Sequence, residues 1–143
     1  RGTIMAHSAD PLDRPLIRPN YFSDPDDIRV MIAGLRQARN ILAQPAFKHY
    51  SVEETVPGLE NQSDDDLEKF ARENGSIIYH PVSTCKMGED PMSVVDSRLR
   101  VHGIQGLRIV DASIMPTVTT GNTNAPTIMI AEKASDMILE DIM

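Results

Sequence analysis

The sequence predicts an α+β fold in one domain, and three observations lead to that prediction. Two segments in the first half combine helix-capping residues with apolar residues at helical spacing. Short β-prone runs with glycine-marked turns follow in the second half. A long apolar stretch typical of a helix ends the chain, whose 143 residues are enough to bury a core. Helices and short strands in this order are typical of an α+β domain.

The first element is a short apolar run near the N-terminus, GTIMAHS. The proline-rich stretch DPLDRPLIRPNYFSDP follows it. Proline fixes its own φ and disfavours helix at the residue before it. We therefore expect extended, irregular chain with turns over this stretch.

The next segment carries the signals of a helix start. Asp24 or Ser23 can serve as the N-cap, Pro25 suits the first helical position, and acidic residues fill the first turn. Pro45 closes the segment. The apolar residues recur at the spacing of one buried helix face: Ile28, Met31, Ile32, Leu35, Ala38 and Leu42.

A second, shorter helix is predicted after a loop at residues 46–62. Ser63 with Asp66 three residues later is typical of a capping box, and Asn74-Gly75 marks the helix end.

The second half is more β-prone. The run SIIYHPV, residues 76–82, predicts a strand, and RLRVHGIQGLRIVDAS, residues 98–113, predicts two short strands around a glycine-marked turn. The final segment, APTIMIAEKASDMILEDI, predicts a helix. We expect that helix to be buried, because apolar residues surround its first turns: Ile128, Ile130, Ala131, Ala134, Met137 and Ile138.

Composition excludes several classes of partner. The formal net charge is −7, from 21 acidic and 14 basic side chains without a basic cluster, so nucleic acid and anionic membrane are not expected partners. The only cysteine, Cys85, cannot form an internal disulfide, and no apolar run is long enough for a membrane helix. We expect a cytoplasmic protein. The chain begins at Arg1 rather than methionine, which also allows a fragment.

Common catalytic and metal motifs find little support. The four histidines are scattered without a second ligand at metal spacing, so no metal site is expected. There is neither a phosphate-binding glycine loop nor a nucleophile elbow. Ser83 lies near His80, but nothing in the sequence supplies an oxyanion hole. Lys86 and Arg98 are interpreted as solvated charges.

His80 is the most informative candidate. It ends a β-prone run and precedes Pro81, which favours extended backbone at His80. An imidazole there could act as a general base or hydrogen-bond donor, or be a hydrogen-bonded structural residue. Asp111 follows a β-prone run and Asn122 precedes the last helix, where free N–H groups favour anionic cofactor groups. Both also fit plain turn and capping roles.

These residues lie in segments that resemble a known family. YHPVSTCKMG, VVDSRLRVHGIQGLRIVDASIMP and TGNTNAPTIMIAEKASDMI are similar, in this order, to C-terminal motifs of the glucose–methanol–choline (GMC) flavoprotein oxidoreductases. The choline and bacterial alcohol dehydrogenases of that family are the most similar in character. RGTIMAHSADPLDRPLIRPNYFSDPDD resembles the start of the family's substrate-domain sheet.

The resemblance implies a fold and an activity. Residues 1–143 would be the C-terminal, substrate-binding domain, a mostly antiparallel β-sheet flanked by helices, with segment 96–143 packed on an FAD-binding half. The activity would be oxidation of a primary alcohol to the aldehyde by hydride transfer to N5 of FAD. The substrate would be a small alcohol, for which a choline-like molecule is one candidate. Without its partner domain the chain would expose an apolar patch around the last helix, so we also expect self-association into a homo-oligomer.

The resemblance also assigns site residues. His80 would be the catalytic histidine that assists removal of the hydroxyl proton, and Asn122 would fill the second catalytic position. Four residues would contact FAD, the first two near the pyrophosphate and ribityl chain and the last two near the pyrimidine end of the ring: Asp111, Ala112, Thr123 and Asn124.

One departure from the family limits what this chain can do alone. The dinucleotide-binding G-x-G-x-x-G turn of the N-terminal half is absent from the sequence. We therefore expect the chain alone to hold FAD weakly and to be inactive. A non-catalytic α+β module that binds a ligand or a protein remains the alternative interpretation.

Overall fold

The computed structural model describes residues 1–50 and 53–142. Residues 51 and 52, within the predicted loop at 46–62, lie outside the described residues. Contacts within the chain separate two units, Arg1–Ser76 and Ile77–Met143. Each unit is described by itself.

The first unit opens with a two-stranded antiparallel sheet. Strand β1, Thr3–Met5, pairs with β2, Leu16–Arg18, with Thr3 opposite Arg18. The second strand lies inside the proline-rich stretch for which irregular chain was predicted. It forms there because Pro15 and Pro19 flank the strand, where their missing N–H groups cost no ladder hydrogen bond.

Helix α1 spans Pro25–Leu42 and begins as the sequence predicts. Asp24 rather than Ser23 is the N-cap, and its side chain accepts a hydrogen bond from the backbone N–H of Asp26 at 2.9 Å. After α1 ends, Pro45–Phe47 form a single 3₁₀ turn.

Helix α2 spans Asp64–Asn74, and the predicted capping box is present. Ser63 Oγ accepts from the backbone N–H of Asp66 at 3.1 Å, and the Asp66 carboxylate accepts from that of Ser63 at 3.2 Å. Helices α1 and α2 pack against each other, and Leu67 on α2 is fully buried.

The second unit contains less β-structure than predicted. Within described residues 77–142, β-pairing is limited to isolated bridges such as Arg100 with Arg108. The predicted strand at 76–82 is wrong: Tyr79 has a φ of +60°, which interrupts the extended run, and its side chain is exposed. The two predicted strands within 98–113 are also wrong as continuous strands, since Leu99 has a φ of +64°.

Helix α3 spans Asn124–Ile142 and ends the second unit. Its existence confirms the predicted helix, but the predicted burial is wrong for this chain. Only one stripe is buried, and several large apolar side chains elsewhere on the helix are exposed. The core of the unit consists of Val95, Leu99, Ile114, Met115, Ile130 and Ala134.

The broad class is therefore α+β, as the sequence predicts, with helices as the main elements. Of the predicted mostly antiparallel sheet, the described residues contain the small β1–β2 pair in the first unit and isolated bridges in the second, one of which, Met87 with Val95, is parallel. Strand pairing needs partners that a sequence pattern does not identify, and these runs find few of them here.

Candidate active site

The side chain of His80 contacts Thr123, far along the chain. His80 Nδ1 lies 2.8 Å from Thr123 Oγ1, across a separation of 43 positions. His80 is half-buried and Thr123 is buried, with 9% of its surface exposed. The donor in this hydrogen bond depends on the histidine tautomer, because a hydroxyl can donate or accept.

Thr123 occupies the N-cap position directly before α3. An N-cap side chain usually accepts from the N–H of the second or third helical residue, but the third is Pro126, which has none. The backbone carbonyl of Thr123 accepts from both the backbone N–H and the hydroxyl of Thr127, at 3.0 and 2.7 Å. The helix start thus fixes the Thr123 backbone while its hydroxyl pairs with His80.

The segment that follows His80 is attached to the segment that contains Asp111. The backbone N–H of Cys85 donates to the carbonyl of Ser113 at 3.0 Å, and that of Met87 donates to the carbonyl of Ile114 at 2.8 Å. The segment after His80 and the segment after Asp111 therefore run side by side. The contact of His80 with Thr123 joins the start of α3 to them.

Asp111 caps a short turn. Its carboxylate accepts from the backbone N–H of Ser113 at 2.7 Å and so begins the 3₁₀ turn Ala112–Ile114. Asp111 is exposed and Ala112 is half-buried. The plain capping interpretation of Asp111 is confirmed, and a cofactor contact by either residue stays a prediction.

Asn122 and Asn124 flank Thr123 and are both exposed. The backbone of Asn122 is therefore next to the residue that contacts His80. Asn124 is the first residue of the 19-residue helix α3, and the first backbone N–H groups of a helix have no partners within it. Such a helix start suits an anionic or electron-rich group.

Lys86 and Asp90 form a structured turn rather than the solvated charge predicted for Lys86. Lys86 Nζ donates to Asp90 Oδ2 at 2.8 Å, and the Asp90 carboxylate also accepts from the backbone N–H of Met92 and from Ser93 Oγ. The hydrogen bond from Lys86, followed by those from Ser93 and Met92, lowers the pKa of Asp90 to about 2. The turn follows the His80 segment directly.

Arg98 is likewise paired rather than freely solvated. Its guanidinium donates to the carbonyl of Met137 and to the carboxylates of Glu140 and Asp141, all on α3. The hydrogen bond to Glu140 is the main reason that the pKa of Arg98 is raised above its ordinary value. These contacts attach the C-terminal half of α3 to its unit.

Two further observations bear on other kinds of site. No helix among the described residues has both the length and the apolar character to cross a bilayer. No cluster of three or more metal-ligating side chains occurs within residues 1–50 and 53–142.

One residue of the site, Thr123, makes a contact that the sequence did not predict. The family resemblance implies that Thr123 contacts the cofactor, which stays a prediction, and the structure adds a contact of its side chain with His80. A threonine directly before a helix with proline at the third helical position could have signalled that its hydroxyl has one fewer backbone N–H to cap.

The arrangement of these motifs is that of a flavoprotein oxidoreductase family. A family model for GMC oxidoreductases matches residues 1–131, and the chain belongs to that family. An alcohol dehydrogenase [acceptor] from Pseudomonas putida is 51% identical over 99% of this chain. An oxygen-dependent choline dehydrogenase from Yersinia pseudotuberculosis is 52% identical over 96% of it.

Solved structures agree with this assignment. An FAD-dependent oxidoreductase from Chaetomium thermophilum matches 98% of this chain with a TM-score of 0.89 and 32% identity. A fungal aryl-alcohol oxidase matches 99% of it with a TM-score of 0.87 and 34% identity. The chain covers 24% of each of these structures, and 26% and 24% of the two dehydrogenases, so it spans about a quarter of their length.

Proposed function

We propose that this chain is the C-terminal, substrate-binding part of an FAD-dependent alcohol dehydrogenase that oxidises a primary alcohol to the aldehyde. The contact between His80 and Thr123 carries the proposal. Because Asn122 directly precedes Thr123, the contact brings the two proposed catalytic residues, His80 and Asn122, to the same part of the structure. The names of the two dehydrogenase relatives support an alcohol substrate, and choline is one candidate.

His80 would remove the proton of the alcohol hydroxyl. One ring nitrogen, Nδ1, is held by Thr123, which leaves Nε2 to face a substrate. A histidine is suited to this role because its ordinary pKa lies near neutrality. Asn122 cannot take up a proton at pH 7, but its carboxamide can orient the substrate oxygen.

The start of α3 and the Asp111 turn fit a flavin cofactor. When bound, FAD supplies an acceptor for the hydride that leaves the alcohol carbon. Backbone N–H groups at the helix start, at the buried Thr123 and the exposed Asn124, would bind the electron-rich pyrimidine end of the ring. Asp111 and Ala112 would lie near the ribityl chain and pyrophosphate, where a carboxylate can accept from ribityl hydroxyls.

Segment 96–143 would pack on the FAD-binding half of the whole protein. The outward face of α3 supports this, because its exposed apolar residues are too many for an ordinary solvent-facing helix. The chain spans about a quarter of its relatives, which leaves ample further chain to cover that face. The exposed large apolar side chains of α3 are Ile128, Met129, Ile138, Leu139 and Ile142.

The β1–β2 pair would belong to a larger antiparallel sheet of the substrate-binding domain. Ile4, Met5 and Ile17 are exposed on these short strands, which supports a covering element outside the chain. Residues 1–143 would then be one domain of the larger flavoprotein.

The proposal is tested by mixing the flavin-loaded whole protein anaerobically with choline and with neutral aliphatic and aromatic primary alcohols. We expect at least one of them to bleach the oxidised flavin absorbance. A tertiary alcohol, which has no hydrogen on the carbinol carbon, is the matched control and should leave the spectrum unchanged. If no primary alcohol reduces the flavin, the proposal fails and the non-catalytic module is favoured.

A further inference from the structure

We propose that Thr123 is a positioning residue whose hydroxyl accepts a hydrogen bond from Nδ1–H of His80 and so directs the basic Nε2 at the substrate. The inference rests on the proposed function for the direction of proton transfer. It adds a side-chain role to the backbone contact with the cofactor proposed above for Thr123.

The backbone around His80 has little to hold it in place. Among the described residues, the 2.8 Å bond to Thr123 is the only hydrogen bond made by segment 76–84, and backbone bonds to the neighbouring segment begin only at Cys85. Tyr79, directly before His80, has a φ of +60°, so no regular strand fixes the ring. The side-chain bond to Thr123 is therefore the contact that sets the ring orientation.

Thr123, in contrast, is held firmly. Its backbone carbonyl accepts twice from Thr127, and its β-branched side chain has few rotamers. With 9% of its surface exposed, it meets little competition from water for the His80 nitrogen. Pro126 removes the N–H of the third helical residue as a competitor for the hydroxyl oxygen, which pairs with His80.

The polarity of this hydrogen bond decides which nitrogen can act as a base. A neutral imidazole carries one N–H, and if that proton is on Nδ1, the lone pair is on Nε2. When the O–H bond of the alcohol breaks, its proton forms a new N–H bond at Nε2, while Nδ1–H keeps donating to Thr123 Oγ1. That bond is then charge-assisted and stronger, and the ring does not need to turn.

Single-turnover kinetics of the whole, flavin-loaded protein test the role. Thr123→Val keeps the shape but removes the acceptor, so we expect the flavin reduction rate to fall by about tenfold or more, with the alcohol dissociation constant within about twofold. Thr123→Ser should return the rate to within about threefold of the original. Ser135→Ala removes an exposed hydroxyl further along α3, which donates to the carbonyl of Ala131, and should leave the rate unchanged.

The tautomer can be read without any activity. In protein labelled with ¹⁵N-histidine at alkaline pH, the His80 signals, assigned with His80→Asn, should show Nδ1 protonated and Nε2 unprotonated. Thr123→Val should shift this pattern and Thr123→Ser should preserve it. A proton on Nε2 instead, or an unchanged reduction rate in Thr123→Val with flavin fully bound, would overturn the inference. If the tautomer is as expected but no alcohol reduces the flavin, the proposed function fails. The inference that Thr123 accepts a hydrogen bond from Nδ1–H of His80 is then still supported.

Discussion

The backbone N–H of Met87 donates to the carbonyl of Ile114 at 2.8 Å, and this bond joins two segments that are distant in sequence. One leads back to His80 and the other begins at the Asp111 turn. Val82 and Met87 from the first segment and Ala112 from the second pack against the same core as α3. The candidate site is thus assembled on a shared core in the second unit, and its geometry depends on that core and on the neighbouring turn.

Leu67 is the best test of the packing in the first unit. It is fully buried on α2, so Leu67→Ala should destabilise that unit by about 2–5 kcal/mol through lost apolar contact and a cavity. The measurement is hydrogen exchange of the α2 amides in the whole protein. Leu12 is 90% exposed, and Leu12→Ala is the matched control with an expected change below about 0.5 kcal/mol. Equal effects of the two variants would contradict the packing described.

Arg39 holds a loop against α1. Its guanidinium donates to both oxygens of Glu54 and to the carbonyls of Gly58 and Asn61. Arg39→Ala leaves these acceptors without their donor, so exchange of the Asn61 amide, which donates to Gly58, should become several-fold faster. Arg29→Ala, which removes the exposed pair with Asp26 on the same helix, is the control and should have little effect there.

The pair also predicts a dependence on pH. The hydrogen bond from Arg39 lowers the pKa of Glu54 below its ordinary 4.5. When the pKa of a carboxyl group is lower in the folded state, its stabilisation is complete at pH values above the pKa of the unfolded state. The stabilisation is lost as the pH falls through the pKa of the folded state. The difference between the wild type and Arg39→Ala should therefore shrink as the pH falls below about 4.5. A difference that stays constant down to pH 2 would refute the ionic contribution.

The stability of the turn at Asp90, which follows the His80 segment, should also depend on pH. Its pKa is lowered from 3.8 to about 2, chiefly by Lys86, so its charge should stabilise the turn above about pH 4 and cease to do so between about pH 4 and 2. The Ser93 amide donates to the Asp90 carbonyl, and we expect its hydrogen exchange at pH 7 to be faster in Asp90→Asn than in the wild type. Glu89→Gln removes the same charge one position earlier and serves as the control. Similar exchange in both variants would show that the charge is irrelevant to the turn.

The helices could be predicted because their signals are local. Asp24 with Pro25, and Ser63 with Asp66, mark helix starts within four residues, and the structure places α1 and α2 there. The lack of continuous strands within residues 77–142 could not be predicted, because a strand needs a partner elsewhere in the chain and because Tyr79 adopts positive φ. The prediction that α3 is buried was wrong for a related reason. Apolar periodicity shows that a helix face needs to be covered, but it does not show which chain covers that face.

The site was predictable only in part. The family motifs single out His80 and the residues around Asn122, and the structure brings His80 to Thr123. The pairing of one particular hydroxyl with Nδ1 could not be foreseen, because it depends on the approach of segments 43 positions apart. The missing N–H at the third position of α3 has a local cause, Pro126, which the sequence shows.

The most direct test of the account is the rate of anaerobic flavin reduction by the alcohol in His80→Ala of the whole protein. We predict at least about a tenfold decrease with flavin still fully bound, since the imidazole assists removal of the hydroxyl proton. A reduction rate equal to that of the wild type, in a variant that retains its flavin, would contradict the role assigned to His80.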